Sequence, residues 1–380
     1  MSFRISGRDQ AVKLCTLSTG DSVYRYYKSI VIPFEQPRKV ASTAIVNGGY
    51  REDLTAVFNN DCNPGAGMSS IMRGPTYQEH MRIITEEIGL DPETTAGMGT
   101  AASMQNVAIH TLTYETLTVT AIVTGGVEVN GGRVGDPADY FQPLDKNTLE
   151  KPGTINIILV IDADLPPGML NRAMVTCTEA KTAALQELMA GSNYSNGLAT
   201  GSGTDQTIVV ANPASPLYLE SAGKHSKLGE LIGRTVLPAV KEALLKQTGL
   251  SPRHQHSLLR RLKRFGIKEE SLWQAYLTGG GQVIKPKFMT RLYELDGVSP
   301  LVTYTSLYIH LLDQLQWELL TGDEVREAGN ELLAAAAARF GVTAPAVTAA
   351  GLDACLQAWQ ALVLAIVETN LKTTCTDSSN

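Results

Sequence analysis

Apolar positions change their spacing along the chain, and this change separates a part with β patterning from a part with helical patterning. Up to about residue 165, runs rich in Val, Ile, Tyr and Thr predict strands. These runs are Ser22–Ile32, Lys39–Val46, Gln105–Tyr114, Thr116–Val123 and Ile155–Ile161. The second run leads into Asn47-Gly48-Gly49, a tripeptide typical of a turn.

Three segments before about residue 250 repeat their apolar positions with the period of an amphipathic helix. Thr76–Ile88 ends before Gly89, Pro167–Met189 carries a long apolar stripe, and Leu228–Gln247 ends at a glycine. Paired strands interrupted by a few helices favour an α+β fold. We therefore expect a mixed, largely antiparallel sheet layered with helices.

From about Ser251 the pattern becomes almost entirely helical. The opening stretch, SPRHQHSLLRRLKRFGIKEE, is basic, and its leucines fall on one side of an amphipathic helix between Arg253 and Arg264. Such a helix is expected to pack on its own protein. We predict a main domain at residues 1–249 and a helical C-terminal appendage at residues 250–380, with a role in packing or assembly and not in catalysis.

Composition narrows the function classes. The net charge of −6 argues against a nucleic-acid partner, which would require a clustered basic excess. The apolar runs are too short for a membrane span, and the N-terminus lacks the apolar core of a signal peptide. Five cysteines, scattered and without a CxxC pair, are typical of reduced thiols. We expect a cytoplasmic protein without a membrane partner. Assembly into a homo-oligomer stays open.

A glycine-punctuated stretch, ATGSGTDQ (199–206), is the first candidate for chemistry. It is neither a Walker loop, since no Lys-Ser/Thr follows the glycines, nor a dinucleotide fingerprint, since a strand and not a helix comes next. A tight connection into a buried strand is one interpretation. The other is a site, because acids, lysines and a histidine flank the stretch in TCTEAK (176–181) and SAGKHSKLGELIG (221–233).

With these segments the chain resembles a known family, the adenosylcobinamide amidohydrolases of corrinoid salvage. The resemblance covers roughly residues 38–248 in the family's order. It is carried by STAIVNGGY (42–50), VFNNDCNP (57–64), VTGGVEVNGGRVGDPA (123–138), GTINIILVIDADL (153–165), TEAKTAALQEL (178–188), ATGSGTDQ (199–206) and AGKHSKLGELIG (222–233). The glycine loop has serine where the family pattern ATGTGTD has threonine, which keeps a hydroxyl. The family pattern has no counterpart to the helical region after residue 250, so the resemblance implies nothing about that region.

The resemblance implies hydrolysis of one amide in cobamide salvage. Adenosylcobinamide would yield adenosylcobyric acid and 1-amino-2-propanol. No cofactor is expected, because cobalt arrives as part of the corrinoid substrate. The alternative is a corrinoid-binding or carrier protein that keeps the ligand site without the chemistry.

Residue chemistry supplies the candidates for catalysis. Amide hydrolysis needs an attacking oxygen, donors to the developing oxyanion and an acid for the leaving amine. His225 is the candidate acid, because histidine changes charge near neutral pH. Asp205 could activate water, orient the histidine or cap the strand turn. Glu179 and Thr204 complete the catalytic candidates, the threonine as a nucleophile if a base lies beside it.

The remaining candidates concern binding. Backbone N–H groups of Gly201 and Gly203 are candidate oxyanion donors, and Thr178 and Lys181 follow the polar flank of a helix. Amide or open-backbone positions suited to the carboxamides of a corrin are Asn47, Gly48, Gly49, Asn59 and Asn156. Ordinary turn and strand-end chemistry is the alternative for all five. A metal held by His225, Asp205 and Glu179 is the weaker catalytic route, since no HExxH or paired-histidine spacing exists.

Overall fold

The structure is a computed structural model that describes residues 11–63, 72–138 and 153–376. Its strands are β1 (Val12–Thr16), β2 (Ser22–Tyr26), β3 (Ser29–Pro33), β4 (Lys39–Ser42), β5 (Gly49–Arg51), β6 (Ala56–Asp61), β7 (Thr95–Thr100), β8 (Ala108–Tyr114), β9 (Leu117–Gly125), β10 (Gly131–Gly132), β11 (Ile155–Ile161), β12 (Gly201–Ser202) and β13 (Gln206–Ala211). The helices are α1 (Tyr77–Glu87), α2 (Pro167–Glu187), α3 (Lys227–Thr248), α4 (Leu258–Leu262), α5 (Glu269–Thr278), α6 (Lys285–Asp296), α7 (Ser299–Gln316), α8 (Gly322–Phe340) and α9 (Leu352–Thr376).

Within the described residues the strands form two large mixed sheets. The first has the order β1-β2-β3-β6-β7, and the second has the order β5-β4-β13-β11-β9-β8. Each is antiparallel apart from one parallel pair, β6 with β7 and β11 with β13. A short ladder joins β10 to β12. The predicted α+β class, with a mixed, largely antiparallel arrangement and a helical C-terminal region, is confirmed.

The two sheets pack face to face, and helices cover their outer faces. Side chains along each strand point alternately to the two faces of its sheet. Ile30 and Val57 of the first sheet and Ile158 of the second therefore pack in one apolar core between the sheets. The opposite face of the first sheet, which includes Phe58, packs on α1. The opposite face of the second packs on α2 and α3, for example Leu159. The layers are therefore, in order, α1, the first sheet, the second sheet, and α2 with α3.

The predicted single strand Ser22–Ile32 is wrong, because the chain reverses within it. Tyr26 pairs with Ser29 across a two-residue turn. The turn residues Tyr27 and Lys28 have φ of +43° and +57°. A two-residue hairpin requires left-handed backbone at both central positions, and here non-glycine residues supply it.

The chain divides into two compact units. The first contains the described residues up to Tyr194 together with Leu198–Ser251, and the second contains Ser195–Gly197 and the described residues from Pro252. In the second unit α4 to α9 enclose their own core, in which Tyr308 stacks on Trp359. The roles predicted for the two parts of the chain stay predictions.

The basic segment packs within the second unit as its leucine pattern predicts. Leu258 and Leu262 are fully buried. Arg264 makes two hydrogen bonds, of 2.6 and 2.7 Å, to the carboxylate of Asp313, and both side chains are buried. The charge of this arginine is therefore neutralised inside the unit.

One stretch of α9, Leu352–Thr369, is long and apolar enough to cross a membrane by length and composition. Its mean hydropathy is 1.2, and 39% of it is buried. Trp359, Leu362 and Ile366 belong to the core of the second unit. A core helix passes the same test, so this stretch is weak evidence for a membrane span.

Candidate functional site

Helix α2 is the element on which three of the family-like segments meet. Lys181 reaches the glycine loop at Asp205, and the hydroxyl of Thr182 donates to the Thr200 carbonyl at 3.2 Å. On the other side Glu179 lies 3.2 Å from the Lys224 ammonium, in the segment that precedes α3. The candidates from TEAK, ATGSGTD and AGKHS are therefore brought to one region of the first unit.

Asp205 is held by four donors. Its carboxylate is paired with the Lys181 ammonium and accepts the Ile155 N–H at 2.8 Å. It also accepts the N–H of Ser202 at 3.0 Å and the hydroxyl of the same serine at 2.7 Å. Buried charges persist when they are paired and hydrogen-bonded, which explains why a lysine and an aspartate can be 11% exposed here. The structure thus gives Asp205 a role in holding the loop; its catalytic role stays a prediction.

The two candidate glycines of the loop differ in what surrounds them. A Cβ on Gly201 would lie 2.3 Å from the Asp205 carboxylate and 2.8 Å from the Lys181 ammonium, so a side chain at this position would displace the ion pair. Gly203 is exposed and has ordinary space for a Cβ. Of the two, Gly203 is the glycine whose backbone can be reached from solvent.

Thr204 has its hydroxyl engaged in the structure. The hydroxyl donates to the Gly153 carbonyl at 3.0 Å, while the Thr204 carbonyl accepts from Thr154 at 2.8 Å. These bonds tie the end of the glycine loop to the start of β11. No base among the described residues is hydrogen-bonded to this hydroxyl, so its role as nucleophile stays a prediction without geometric support.

His225 lies at a tight turn that leads into α3. Ser226 caps the helix by accepting the Gly229 N–H at 3.0 Å, and its own hydroxyl donates to the Gly223 carbonyl at 2.8 Å. A Cβ on Gly229 would come within 2.0 Å of that carbonyl, so glycine permits the close approach. His225 is exposed and, within the described part of the chain, forms no hydrogen bond or ion pair. Its role as the acid of the reaction stays a prediction.

Glu179 is the carboxylate with the most solvent contact among the candidates. It is 39% exposed and lies between the Lys224 ammonium at 3.2 Å and the Arg172 guanidinium at 4.0 Å. The Thr178 hydroxyl next to it donates to the Met174 carbonyl at 3.0 Å, which leaves its oxygen lone pairs unused. Both residues remain reachable from outside the protein.

Asn59 and Asn156 are buried between the two sheets. Asn156 donates to the side chain of Asn59 at 2.8 Å and to the Gly99 carbonyl at 3.0 Å. Asn59 in turn donates to Thr124 at 2.7 Å, and Thr154 donates to Asn156 at 3.2 Å. This closed network gives both amides a structural role. Both residues are almost fully buried, and their contact with substrate stays a prediction.

We expect Asn59→Ala to lower the free energy of unfolding by about 1–3 kcal/mol, because it leaves buried partners without hydrogen bonds. The KM for the substrate should stay close to that of the parent chain. Urea titration measures the first quantity and steady-state kinetics the second. Asn171→Ala, at an exposed asparagine, is the control for stability. A raised KM with unchanged stability would restore Asn59 as a substrate contact.

Asn47, Gly48 and Gly49 form the turn that the sequence predicts between β4 and β5. Asn47 has φ +55° and donates to the carbonyls of Pro92 and Thr95 at 2.6 and 2.8 Å. A Cβ on Gly48 would lie 1.9 Å from a backbone oxygen, and Gly49 has φ +80°. Turn geometry accounts for all three, and their role in binding stays a prediction.

Four cysteines, Cys15, Cys62, Cys177 and Cys355, are poor nucleophiles. Burial raises the pKa of the Cys177 thiol on α2 to about 12 and that of Cys62 to about 11. Burial also raises the pKa of Cys15 and Cys355. A thiolate is the reactive form of cysteine, so these four side chains stay protonated and unreactive near neutral pH.

The weaker metal route would need His225, Asp205 and Glu179 to share one ion. Among the residues that the structure describes, no group of three or more His, Cys, Asp or Glu side chains is arranged to hold a metal. The groups around Asp205 are a lysine ammonium, two backbone N–H groups and a serine hydroxyl, and all of them already donate hydrogen bonds to its carboxylate.

An open groove follows the outward side of α2 between Asn171 and Gln186, and we call this surface the α2 face. The groove has a volume of about 780 Å³, and Thr178, Glu179 and Thr182 line it. Sequence reasoning singled out Thr178 and Glu179, yet it missed Asn171, Val175 and Gln186, which share the same face at helical spacing. The helical spacing of these residues can be read from the sequence. The sequence does not show which side of the helix faces away from the sheet.

The matches to known proteins fall in the part of the chain that holds these candidate residues. The family model described as CbiZ, adenosylcobinamide amidohydrolase, matches residues 14–252. The uncharacterized protein MJ1613 of Methanocaldococcus jannaschii is 34% identical over 238 residues, which are 60% of this chain and 89% of that protein. A Methanosarcina mazei protein named adenosylcobinamide amidohydrolase is 30% identical over 209 residues, which are 52% of this chain and 86% of that protein.

Among solved structures, the PH0078 protein from Pyrococcus horikoshii OT3 covers 62% of this chain and 83% of its own length, with 15% identity and a TM-score of 0.30. The family match, by contrast, spans nearly the whole first unit, including every candidate site residue.

Proposed function

We propose a reaction from one premise: the chain belongs to the adenosylcobinamide amidohydrolase family. The reaction is hydrolysis of the amide that joins aminopropanol to a propionate of the corrin in adenosylcobinamide. Water supplies a hydroxyl to the carbonyl carbon, the C–N bond breaks, and the amine leaves with a proton. The products are adenosylcobyric acid and 1-amino-2-propanol.

The observation that carries the proposal is the meeting of three family segments at α2. Two residues that line the groove make these contacts: Glu179 pairs with Lys224, next to His225, and Thr182 donates to Thr200 at the start of the glycine loop. In this mechanism His225 protonates the leaving amine, Glu179 accepts the proton of the attacking water, and the backbone N–H of Gly203 stabilises the developing oxyanion. Asp205 and Lys181 hold the loop in place.

The setting of this reaction is also part of the proposal. Salvage of corrinoids in the cytoplasm fits the scattered, unpaired cysteines of the described chain. No nucleic-acid partner is proposed, because the net charge is −6. No resident cofactor is proposed either, since the cobalt belongs to the substrate.

Turnover of adenosylcobinamide tests the proposal. The purified chain is incubated with this compound, with and without added divalent metal, and the mixture is analysed by mass spectrometry. We expect free 1-amino-2-propanol and an equal amount of adenosylcobyric acid. Intact substrate in both incubations contradicts the proposal. If the corrin absorption spectrum shifts while the substrate stays intact, the chain is a corrinoid carrier.

A further inference from the structure

The α2 face combines an apolar centre with uncharged polar groups. Met174, Val175 and Ala183 provide the apolar part, and Val175 is 46% exposed although it is a large aliphatic residue on a helix surface. Asn171, Thr178, Thr182 and Gln186 provide amides and hydroxyls on the same side of the helix. A surface of this kind suits a ligand with a broad apolar face and neutral polar groups around its edge.

The hydrogen bonds already formed on this face leave specific capacity for a ligand. The hydroxyls of Thr178 and Thr182 donate to the carbonyls of Met174 and Thr200, so their oxygens can still accept. Gln186 donates to the Ala199 carbonyl at 3.4 Å through its nitrogen, which leaves its oxygen as an acceptor. The face therefore offers a row of acceptors for N–H groups.

Charge on this face is compensated. Glu179 is its ionisable residue, and the Lys224 ammonium lies 3.2 Å from that carboxylate. Asn171 is exposed and, within the described residues, makes no side-chain hydrogen bond, so its carboxamide can both donate and accept. A ligand edge of primary carboxamides matches this set better than a phosphate or a carboxylate would, because the two cations beside the face, Lys224 and Arg172, are already paired with Glu179.

We propose that the α2 face is the platform that holds the corrin macrocycle of the substrate. The ring lies on Met174 and Val175, and its peripheral carboxamides donate to Thr178, Thr182 and Gln186. The face is about 22 Å long at the helical rise per residue, which is sufficient for a macrocycle and an extended arm. This inference rests on the proposed function for the identity of the ring.

Binding of adenosylcobyric acid tests the platform without turnover, because this compound has the corrin but lacks the scissile amide. Val175→Glu places a carboxylate under the ring and is expected to weaken binding at least about tenfold, as burial of an unpaired charge is unfavourable. Val12→Glu is the matched control, since Val12 is also 46% exposed but lies on β1. Equilibrium dialysis with detection of the corrin absorbance measures both variants.

Normal binding by a folded Val175→Glu chain overturns the proposal, as does an equal loss in Val12→Glu. If Val175→Glu does not fold, Thr178→Val and Asn171→Ala decide, because both residues are exposed. Each is expected to weaken binding by roughly twofold to tenfold through the loss of one hydrogen bond; unchanged binding in both overturns the proposal. Hydrolysis by the parent chain is scored separately, so failure of the reaction and failure of the platform are distinguishable.

Discussion

Replacing His225 with alanine is expected to lower the turnover number for adenosylcobinamide by roughly two to four orders of magnitude, the range for a positioned general acid. The amine of an amide leaves poorly unless it is protonated as the C–N bond breaks. Among the described residues His225 is exposed and forms no hydrogen bond or ion pair, and it follows Lys224, which pairs with Glu179. KM should change little, because the corrin is held by other contacts. Steady-state kinetics measures both parameters.

His256→Ala is the matched control, since this histidine is also exposed but lies in the second unit. Its turnover number should equal that of the parent chain. Added imidazole should restore part of the activity of His225→Ala, because a free imidazole can reach an exposed site. Near-normal turnover in His225→Ala would show that another group protonates the amine, and the assignment of the acid would be wrong.

Replacing Asp205 with asparagine is expected to lower the free energy of unfolding by about 3–5 kcal/mol, the usual result of removing one partner of a buried ion pair. The Lys181 ammonium then stays buried without a counter-charge, and the loop loses its strongest acceptor. The double variant Lys181→Met with Asp205→Asn should recover much of this loss. Chemical denaturation measures the free energy of unfolding of the parent chain, of Asp205→Asn, of Lys181→Met and of the double variant.

Glu187→Gln is the control for an exposed pair on the same helix. Glu187 is 54% exposed and pairs with Lys241, so its loss should change the free energy of unfolding by less than about 1 kcal/mol. Unchanged stability in Asp205→Asn, together with lost turnover, would contradict the loop-holding role and would favour a catalytic aspartate.

Local signals explain which elements the sequence could predict. Helix α1 has Thr76 as its N-cap, accepting the Glu79 N–H at 3.1 Å, and α3 ends at Gly249 with φ +75°. Caps and periodicity act within one or two turns, so they can be recognised without knowing the fold. The strands β8, β9, β11 and β13 could be recognised for the same reason, as continuous β-branched runs.

Elements defined by distant partners could not be predicted. Strand β7 has the sequence TAGMGT, in which Gly97 is required because Phe58 of β6 packs against its backbone. The division into two sheets depends on which face each strand buries, and alternation alone does not say what lies opposite. Asn59 looks like a surface amide in sequence, and its partner Asn156 follows 97 residues later.

The candidate site shows the same limit. The residue types around α2 could be chosen from the sequence, because amide hydrolysis requires an acid, a base and donors. That Asp205 is paired with Lys181, and that Gly201 closes over the pair, depends on the packing of the loop against the helix. His225 remains the candidate acid because it is exposed and has no hydrogen-bond or ion-pair partner among the described residues.

Incubation in water enriched in oxygen-18, the heavy oxygen isotope, shows whether the chain cleaves the aminopropanol amide by hydrolysis. Adenosylcobinamide is incubated with the parent chain in this water, and both products are weighed by mass spectrometry. We expect adenosylcobyric acid to carry one heavy oxygen in its new carboxylate and 1-amino-2-propanol to carry none. Intact adenosylcobinamide, or an acid product without heavy oxygen, would show that the chain does not hydrolyse this amide with water.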